Sequence, residues 1–413
     1  MKFQKSDKKQ IIWYISKYFI PKNIGSVGNR GWYLLKEFNK KGYGTIAITS
    51  NSNNLATFPH FPKKVTRESV ENIEVIWLRT IKYLKAKSLM RILSWIHFEW
   101  NLFWFSKKEL PQPDYIIVSS LSLLTIINGL ILKRRFKCKL IFEIRDIWPL
   151  TLVEEGNFSS NNPFVLLLGL IEKIGYKYSD LIVGTMPNLA DHVKSVSSTD
   201  TPIACVPMGF SPSDMDNLKE PDNKFINKYL NPNYFNVVYA GTLGITNSLD
   251  TYFKIAKEME SFKKIKFILI GDGSLKEEYK NKYCDYKNII FAPKIPKDFV
   301  VKTLQCSDIL YLSFHNSKIW DFGQSVNKLI DYMLSGRPII CSFNGYMTMI
   351  NEAQCGVIID ANDHLRAANE IKSLFRLEMH QRDEIGLRGK EWILQNRSYK
   401  DLAEHYLSEI GSL

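Results

Sequence analysis

The chain has 413 residues, of which 45% are hydrophobic and 23% charged, so it is long enough for two or three globular domains and too apolar to be disordered. Its net charge of +13 lies within residues 1–200, because residues 201–413 carry equal numbers of basic and acidic side chains. The sequence contains no helix-turn-helix, zinc-finger or single-strand-binding signature, which favours an anionic membrane over nucleic acid as the partner of the basic half. The six cysteines lack CxxC spacing and the seven histidines lack HxxxH spacing, which argues against a zinc site and for a reducing compartment.

The N-terminal stretch of residues 1–10 is polar and charged, so it is not expected to be a signal peptide. An apolar strand is predicted over residues 11–16, followed by a loop with Gly25, Ser26 and Gly28 and a helix that begins near Asn29. A glycine-rich loop after a strand lets the backbone approach a phosphate or an acceptor closely. Together with the strand predicted over residues 43–50, these elements give the β-α-β start of a doubly wound sheet.

Residues 81–110 combine basic and aromatic side chains. This pattern fits an interfacial helix that dips into a bilayer surface, and it equally fits a helix that packs on the sheet. The uncharged run of residues 115–132 divides into a strand and a helix and is interpreted as soluble core, not as a membrane span. The basic run of residues 133–139 either joins the membrane face or caps this helix.

A strand predicted over residues 140–144 ends in Arg145 and Asp146, which are followed by Trp148 and Pro149. Charged residues at the carboxyl end of a strand occupy the place where α/β proteins bind ligands. Arg145 and Asp146 are therefore candidate functional residues. The alternative is a pair that only fixes the loop.

The polar stretch of residues 219–235 is predicted to be a boundary between domains. The Asp214-Met215-Asp216 motif lies in the linker before it and is not interpreted as a metal site, so no metal is expected. Beyond the boundary, Gly241 and Thr242 follow one predicted strand, and Gly271, Asp272 and Gly273 follow the next. The first of these two loops suits contact with a diphosphate.

The most informative stretch is residues 309–343, which is predicted to be a strand, a polar loop, a helix and another strand. The amides of residues 325–328 at the start of the helix would face an anion, and Lys328 adds a full positive charge. Asp331, about one turn further on, could accept hydrogen bonds from two neighbouring hydroxyls, although it could also be a plain exposed acid. A phosphate at the helix tip and a diol beside the next turn describe a nucleotide.

These motifs, in this order and spacing, resemble the retaining family-four glycosyltransferases of the GT-B fold. The residues 145–149 are similar to a signature of the subgroup that transfers deoxyamino sugars such as N-acetyl-L-fucosamine in bacterial surface polysaccharide assembly, for example of O-antigen or capsule. The family usually has two glutamates separated by seven residues. Asp331 takes the second place and Gly323 stands at the first, so no role of the first glutamate is carried over.

The resemblance implies two doubly wound Rossmann-like domains facing across a cleft. The acceptor domain would span residues 1–215 and the nucleotide-sugar domain 216–390, with a C-terminal helix in 391–413 that crosses back. The donor would be a UDP-sugar, with Gly271–273 near base and ribose, Lys294 and Ile295 against uracil, and phosphate contacts from Ser325, Val326, Asn327 and Lys328. Asp146 would accept or orient the acceptor hydroxyl, and Arg145 would contact donor phosphate or sugar.

The reaction implied is glycosyl transfer with retention and without a metal or other cofactor, and catalysis would involve Asp146, Arg145 and Lys328. The acceptor would be an undecaprenyl-diphosphate-linked saccharide at the cytoplasmic face of the bacterial plasma membrane, with the enzyme bound peripherally. Three alternatives stay open at this stage. They are a GT-B epimerase of UDP-sugars, a transferase with another nucleotide donor or a soluble acceptor, and a non-enzymatic protein that binds nucleotides or nucleic acid.

Overall fold

The structure is a computed structural model that describes residues 9–25, 30–53, 58, 61, 63–83 and 88–413. The chain divides into two compact units, one formed by residues 1–207 with 399–413 and the other by residues 208–398. Each unit is a parallel sheet with helices on its faces.

The first unit contains eight strands and seven of the helices described here. Their bounds are β1 Ile11–Ile15, α1 Arg30–Lys40, β2 Gly44–Ser50, β3 Val65–Val70, β4 Ile73–Leu78, α2 Leu89–Trp104, β5 Tyr115–Ser119, α3 Thr125–Phe136, β6 Lys139–Ile144, α4 Leu150–Glu154, α5 Pro163–Tyr178, β7 Leu181–Gly184, α6 Leu189–Val196, β8 Ile203–Cys205 and, at the end of the chain, α16 Tyr399–Gly411.

The second unit contains the remaining six strands. Its bounds are α7 Pro212–Met215, α8 Asn223–Tyr229, β9 Phe235–Ala240, α9 Asp250–Glu258, β10 Ile265–Ile270, α10 Lys276–Lys282, β11 Ile289–Ala292, α11 Lys297–Leu304, β12 Ile309–Ser313, α12 Asn327–Ser335, β13 Ile339–Ser342, α13 Met349–Ala353, β14 Gly356–Ile359, α14 His364–Arg376 and α15 Met379–Asn396, with short 3₁₀ helices at Ile245–Asn247 and Lys318–Phe322.

The strand order in the first unit is β3-β4-β2-β1-β5-β6-β7-β8, and in the second β11-β10-β9-β12-β13-β14. Only β3 is antiparallel to its neighbour among the described strands. The order reverses between β1 and β5 in the first sheet and between β9 and β12 in the second. In such sheets ligands bind at the carboxyl ends of the strands beside the reversal.

Apart from the edge strand β3, the strands are mostly apolar because helices cover both faces of each sheet. In β9, all six residues are buried, and the five other than Asn236 divide between two apolar clusters, with Val238 and Ala240 in one and the rest in the other. In the first unit, α1 and α16 pack against each other, with Tyr33 stacked on Tyr399 at 4.9 Å between ring centres. The layer formed by α2, α3 and α5 packs through α3 on β5 and β6.

The core of the first unit contains a buried ion pair between Arg30, the first residue of α1, and Glu143 in β6. Tyr14 donates to Glu143 over 2.7 Å, and Arg30 also donates to the carbonyl of Val206 over 2.6 Å. Both charged side chains are fully buried, so each depends on the other for compensation. The pair ties the start of α1 to the centre of the sheet.

The strands and helices differ from the sequence predictions in two places, and they settle the local structure of a third stretch. The edge strand β3 was not predicted, because it lacks a continuous apolar run and none of its side chains is fully buried. The stretch 219–235, predicted to be a polar boundary, contains the helix α8, which begins with a side-chain cap from Asp222. The basic residues Lys133 to Arg135 form the last turn of α3, where positive charge favours a helix end.

Candidate functional site

Four loops of the second unit meet at the carboxyl edge of its sheet. They follow β9, β10, β11 and β12, and the loop after β12 leads into α12. The residues predicted to hold the donor nucleotide all lie in these loops or in the first two turns of α12. The topology therefore places them at one edge of one sheet.

The loops after β9 and β10 are in direct backbone contact. A Cβ on Gly271 would lie 1.9 Å from the carbonyl oxygen of Gly241, and one on Gly273 would lie 2.2 Å from that of Leu243. The amide of Gly241 donates to Ile270, and the amide of Leu243 donates to Asp272, each over 2.9 Å. Glycine is required at both positions because no side chain fits between the two chains.

Lys276 also holds the loop after β10 in place, and it was not identified from the sequence. Its ammonium donates to the carbonyl of Gly271 over 2.6 Å and to that of Ala292, the last residue of β11, over 3.1 Å. The side chain thus joins the ends of two strands. A lysine three residues after a GDG motif looks like an ordinary surface residue in a sequence, so no signal there indicates this role.

Lys328 in the first turn of α12 reaches the loop after β9. Its ammonium donates to the hydroxyl of Tyr239 over 2.9 Å and to the side-chain oxygen of Asn247 over 2.7 Å, and it lies over the Tyr239 ring. Tyr239 in turn donates to the carbonyl of Thr242 over 2.7 Å. A Cβ on Gly241 would lie 2.6 Å from Cε of Lys328, so the glycine makes room for the lysine.

Burial lowers the pKa of Lys328 to about 8. Its hydrogen-bond partners are neutral groups, which do not offset the loss of solvation. A phosphate beside the ammonium would supply the missing counter-charge. The lysine is therefore suited to bind an anion that the protein itself does not provide.

The loop before α12 is held at both ends. Gly323 has a φ of 97°, a left-handed conformation that favours glycine, and its amide donates to the carbonyl of Trp320 over 3.0 Å. The hydroxyl of Ser325 accepts from the amide of Met208 over 2.8 Å. Val326 precedes the helix without a side-chain cap, so the amides of Asn327 and Lys328 have no capping side chain. The position that resembles the first glutamate of the family is thus one where a glutamate would be strained.

Asp331 forms an ion pair with Lys297, the first residue of α11. Burial raises the pKa of the Asp331 carboxyl, and the neighbouring Lys297 opposes that shift. The pair brings the second turn of α12 next to the segment that contains Lys294 and Ile295. Lys294 itself is exposed, whereas Ile295 is half-buried against the core. Asp272 is also exposed, and it bonds its own loop through the amide of Gly273.

A second group of predicted residues lies at the carboxyl edge of the first sheet. Asp146 and Arg145 follow β6, and the hydroxyl of Ser120, after β5, accepts from the amide of Arg145 over 3.0 Å and donates to the carbonyl of Asp146 over 3.1 Å. The Asp146 side chain is exposed to solvent. Surrounding protein nevertheless raises the pKa of its carboxyl, while Arg145 and Arg91 act to lower it. Asp146 and Arg145 are therefore neighbours in space as well as in sequence.

Helix α2 contributes two residues to this edge that no sequence motif indicated as binding residues. Arg91 donates to the Tyr18 hydroxyl over 3.1 Å, and the indole of Trp95 donates to the same oxygen over 2.8 Å. Trp95 meets Trp148 edge to face at 5.4 Å, which brings α2 against the segment that follows Asp146. The sequence predicted this basic, aromatic stretch to be either an interfacial helix or a helix packed on the sheet, and neither prediction assigned Arg91 or Trp95 to a binding site.

Two buried ionisable groups lie next to this cluster. Lys17, directly after β1, is fully buried, and burial together with Arg91 lowers its pKa to about 7. Burial raises the pKa of Glu99 in α2 to about 7, although Thr125, Asn128 and Ser122 all donate to its carboxylate. The ends of β1, β5 and β6 and helix α2 thus share one polar cluster.

Of the predicted glycine-rich loop, Gly25 is described, whereas Ser26 and Gly28 lie outside the described residues.

The layer of α2, α3 and α5 has a second apolar face directed to solvent. In α2, Trp95, Phe98 and Leu102 are buried, while an exposed stripe recurs at helical spacing. The exposed apolar residues of the three helices, between 42% and 79% accessible, are Leu89, Met90, Leu93, Ile96, Trp100, Phe103, Trp104, Ile127, Ile131, Leu166, Leu167 and Leu170. An exposed apolar surface of this extent indicates an interaction site.

Exposed basic side chains lie beyond the apolar stripes of α3 and α5, toward the C-terminal ends of these helices. Ile127 and Ile131 of α3 are followed by exposed Arg134 and Arg135, and the stripe of α5 is followed by exposed Lys173 and Lys177. A cavity of about 370 Å³ at the end of α2 is lined by Phe103, Trp104, Arg135 and neighbouring residues.

No helix within the described residues is long and apolar enough to cross a bilayer. Among the same residues, no cluster of three or more histidine, cysteine or acidic side chains is arranged to hold a metal.

Residues 235–376 match a family model described as "Glycosyl transferases group 1". Among curated proteins, none is significantly similar to the chain in sequence. Solved structures that cover nearly the whole chain include sucrose-phosphate synthase from Thermosynechococcus elongatus, with 15% identity, a TM-score of 0.73 and coverage of 98% of this chain and 100% of that one.

Two further similar structures contain nucleotides. The E. coli trehalose-6-phosphate structure bound with UDP-2-fluoro glucose is 12% identical over 98% of this chain and 99% of that one, with a TM-score of 0.72. Anabaena Alr3699/HepE in complex with UDP and glucose is also 12% identical, over 97% and 99%, with a TM-score of 0.62. The predicted GT-B fold is thereby confirmed. Residues 235–376 thus match a group 1 glycosyl transferase domain within a chain that has the GT-B fold.

Proposed function

We propose that the protein is a retaining glycosyltransferase that moves a sugar from a UDP-sugar to a lipid-linked saccharide. The main support for a UDP-sugar donor is the position of Lys328. Its neutral partners hold it beside the loop that contains Gly241, and it lies next to amides at the start of α12 that have no side-chain cap. An ammonium and free amides at a helix N-terminus are complementary to a diphosphate. The family match over residues 235–376 and the UDP found in similar structures support the same ligand class.

In this proposal the second unit contributes mainly electrostatic stabilisation. The bond to the sugar breaks as negative charge develops on the UDP leaving group, and Lys328 with the amides of Asn327 and Lys328 stabilises that charge. Asp331, positioned by Lys297, would accept hydrogen bonds from the ribose hydroxyls. Glycines in the loops after β9 and β10 let the donor lie close to the backbone. The new bond forms on the face from which UDP leaves, and the proton of the acceptor hydroxyl passes to the donor's own phosphate. The proposal includes no metal.

The first unit would bind the acceptor. Asp146, with Arg145 and Arg91 acting on its carboxylate, would orient the acceptor hydroxyl. Helix α2 carries Arg91 and Trp95 on the side of this cluster and an apolar stripe on the other. A lipid could lie along this exposed stripe, which supports a lipid-linked acceptor over a soluble one.

The same face supports peripheral binding to an anionic bilayer at the cytoplasmic side of the plasma membrane. Exposed tryptophans and leucines would enter the interface, and the basic ends of α3 and α5 would contact anionic headgroups. All of the net positive charge lies in residues 1–200, which agrees with this orientation. The resemblance of residues 145–149 to the fucosamine-transferase signature further suggests a deoxyamino sugar such as N-acetyl-L-fucosamine and a role in surface polysaccharide synthesis.

The test is a transfer assay in EDTA that mixes UDP-sugars with lipid-linked saccharides and measures the UDP released. We expect UDP release that depends on the acceptor, and a fall of roughly 10²–10⁴-fold in its rate for Asp146→Asn. Conversion or hydrolysis of UDP-sugar without acceptor would instead identify an epimerase or hydrolase. Full activity with soluble saccharides alone would remove the lipid part of the proposal.

A further inference from the structure

The cavity at the C-terminal end of α2 has a largely apolar lining that reaches the surface. Its volume is about 370 Å³, and Phe103, Trp104, Ile131 and Leu132 are among the residues that line it. Leu132 is buried and the other three are exposed, so the cavity extends from the core to the exposed apolar face of α2 and α3. Its volume lies within the range of about 300–1,000 Å³ that is usual for ligand sites.

Lys107 gives this end of α2 a positive charge. Its ammonium donates to the carbonyl of Phe105 over 2.7 Å and also to that of Leu102, so it bonds the carbonyls at the end of the helix. The last carbonyls of a helix carry partial negative charge and would repel an anion. Because Lys107 occupies these carbonyls and lines the cavity, the helix end presents a cation there instead.

Arg135, in the last turn of α3, adds a second cation to the lining. Burial lowers the pKa of Lys107 to about 8, and the charge of Arg135 acts in the same direction, which shows that the two cations are close neighbours. At pH 7 Lys107 is still mostly protonated. In the part of the chain that the structure describes, their partners are carbonyls for Lys107 and the Phe136 ring for Arg135, and neither forms an ion pair with an acidic residue. An anion in the cavity would supply the missing counter-charge.

The combination of apolar and cationic lining limits the chemistry of the ligand. A guanidinium pairs with a phosphate through two parallel hydrogen bonds, whereas aromatic and aliphatic side chains favour hydrocarbon. A free phosphate would leave the apolar lining in contact with water, and an uncharged lipid would leave the cations without a counter-charge. An exposed tryptophan beside basic side chains is typical of protein surfaces that lie at the level of lipid headgroups.

We infer that this cavity binds one anionic phospholipid, with the headgroup phosphate at the exposed Arg135 and the first acyl carbons against Phe103, Trp104 and Ile131. Lys107 contributes its charge and keeps the helix carbonyls away from the phosphate. The inference deepens the proposed function and rests on the membrane association stated there. It adds a specific contact with a single lipid to the general insertion of an apolar face into the bilayer.

The test is titration of the full chain with dihexanoyl-phosphatidylglycerol below its micelle-forming concentration, measured by tryptophan fluorescence. The short chains keep the lipid monomeric, so binding does not require a bilayer. We expect saturable binding, and none of glycerophosphoglycerol, which has the same phosphate diester without acyl chains. Arg135→Gln should weaken binding about tenfold to hundredfold, which corresponds to the loss of a charge-assisted hydrogen bond. Arg134→Gln is the matched control, because Arg134 is also exposed but does not line the cavity.

Trp104→Phe shows where the lipid binds. Trp104 is the tryptophan that lines the cavity, so the fluorescence change should be largely lost in this variant. A change that persists there would overturn the inference, as would equal weakening by the two arginine variants or equal binding of dihexanoyl-phosphatidylcholine. Tighter binding of geranyl diphosphate that depends on Arg135 would also overturn it, because the occupant would then be an isoprenoid phosphate.

Vesicle sedimentation separates failure of this inference from failure of the proposed membrane association. Wild type that sediments with phosphatidylglycerol vesicles but does not bind the monomeric lipid would overturn the cavity site and leave the membrane association in place. Wild type that binds the monomeric lipid but not the vesicles would remove the membrane association and support the cavity site.

Discussion

Lys328 is the residue whose ionisation should control nucleotide binding. Its pKa is lowered to about 8 by burial, so the side chain is mostly protonated at pH 7 and mostly neutral at pH 9. The terminal phosphate of UDP has a pKa of about 6 and keeps its charge across this range. Since the charged lysine binds the phosphate, affinity should be full below about pH 7 and fall as the pH rises through 8.

We expect the affinity for UDP to fall about tenfold or more between pH 7 and 9, which corresponds to the loss of one charge-assisted hydrogen bond. Titrations at half-unit intervals would measure this. Lys328→Ala should bind UDP more weakly at every pH and without the fall through pH 8. A wild-type profile that stays flat between pH 7 and 9 would show that Lys328 does not meet the phosphate.

Gly271 is a second residue whose role follows from its surroundings. Alanine there would place Cβ 1.9 Å from the Gly241 carbonyl oxygen, and a backbone atom cannot move aside cheaply. We expect Gly271→Ala to lower the free energy of unfolding by about 1–3 kcal/mol and to weaken UDP binding. Gly244→Ala is the control, because its Cβ would meet only Thr242 at 3.7 Å. Equal melting temperatures for the two variants would contradict this account.

At the scale of elements, helix α2 has the most distinctive surface. It packs one apolar stripe on the first unit and exposes another, and the exposed one should insert into an anionic bilayer. Leu93→Glu and Trp100→Glu should each reduce sedimentation with phosphatidylglycerol vesicles severalfold, because each places a charge where apolar contact is needed. UDP affinity should not change.

The matched control for these variants is Leu365→Glu in α14 of the second unit, since Leu365 is 54% exposed and Leu93 is 48% exposed. It adds the same charge outside the proposed membrane face and should sediment like wild type. If wild type does not bind the vesicles at low salt, or if all three variants behave alike, the apolar face has another partner.

The elements also show what the sequence could and could not predict. The parallel strands and the helix of residues 327–335 were predictable, because buried strands are continuously apolar and the helix has a clear stripe and a glycine at its end. Lys276 could not be identified, since its role depends on carbonyls brought near by other loops. Arg91 is one of the basic residues of the stretch 81–110, but its contact with Tyr18 could not be predicted, because the two residues are 73 positions apart in the chain.

At the scale of the whole molecule, charge and apolar exposure coincide. The exposed apolar face lies in the first unit, which also holds the net positive charge of residues 1–200, whereas the second unit contains the segment that matches the glycosyl transferase model. The chain passes between the units at residues 207–208 and again at 398–399, so that α16 completes the first unit. This division supports an assignment of acceptor and membrane contacts to one unit and donor contacts to the other.

The most direct test of the central claim is calorimetric titration of wild type and Lys328→Ala with UDP, GDP and ADP in EDTA at pH 7. We predict binding that is selective for UDP, persists without divalent metal and is weakened by about tenfold to hundredfold in the variant. Preference for GDP would leave the fold and the site in place but remove the UDP-sugar assignment. Absence of binding by all three nucleotides would contradict the proposal that the second unit holds a sugar nucleotide.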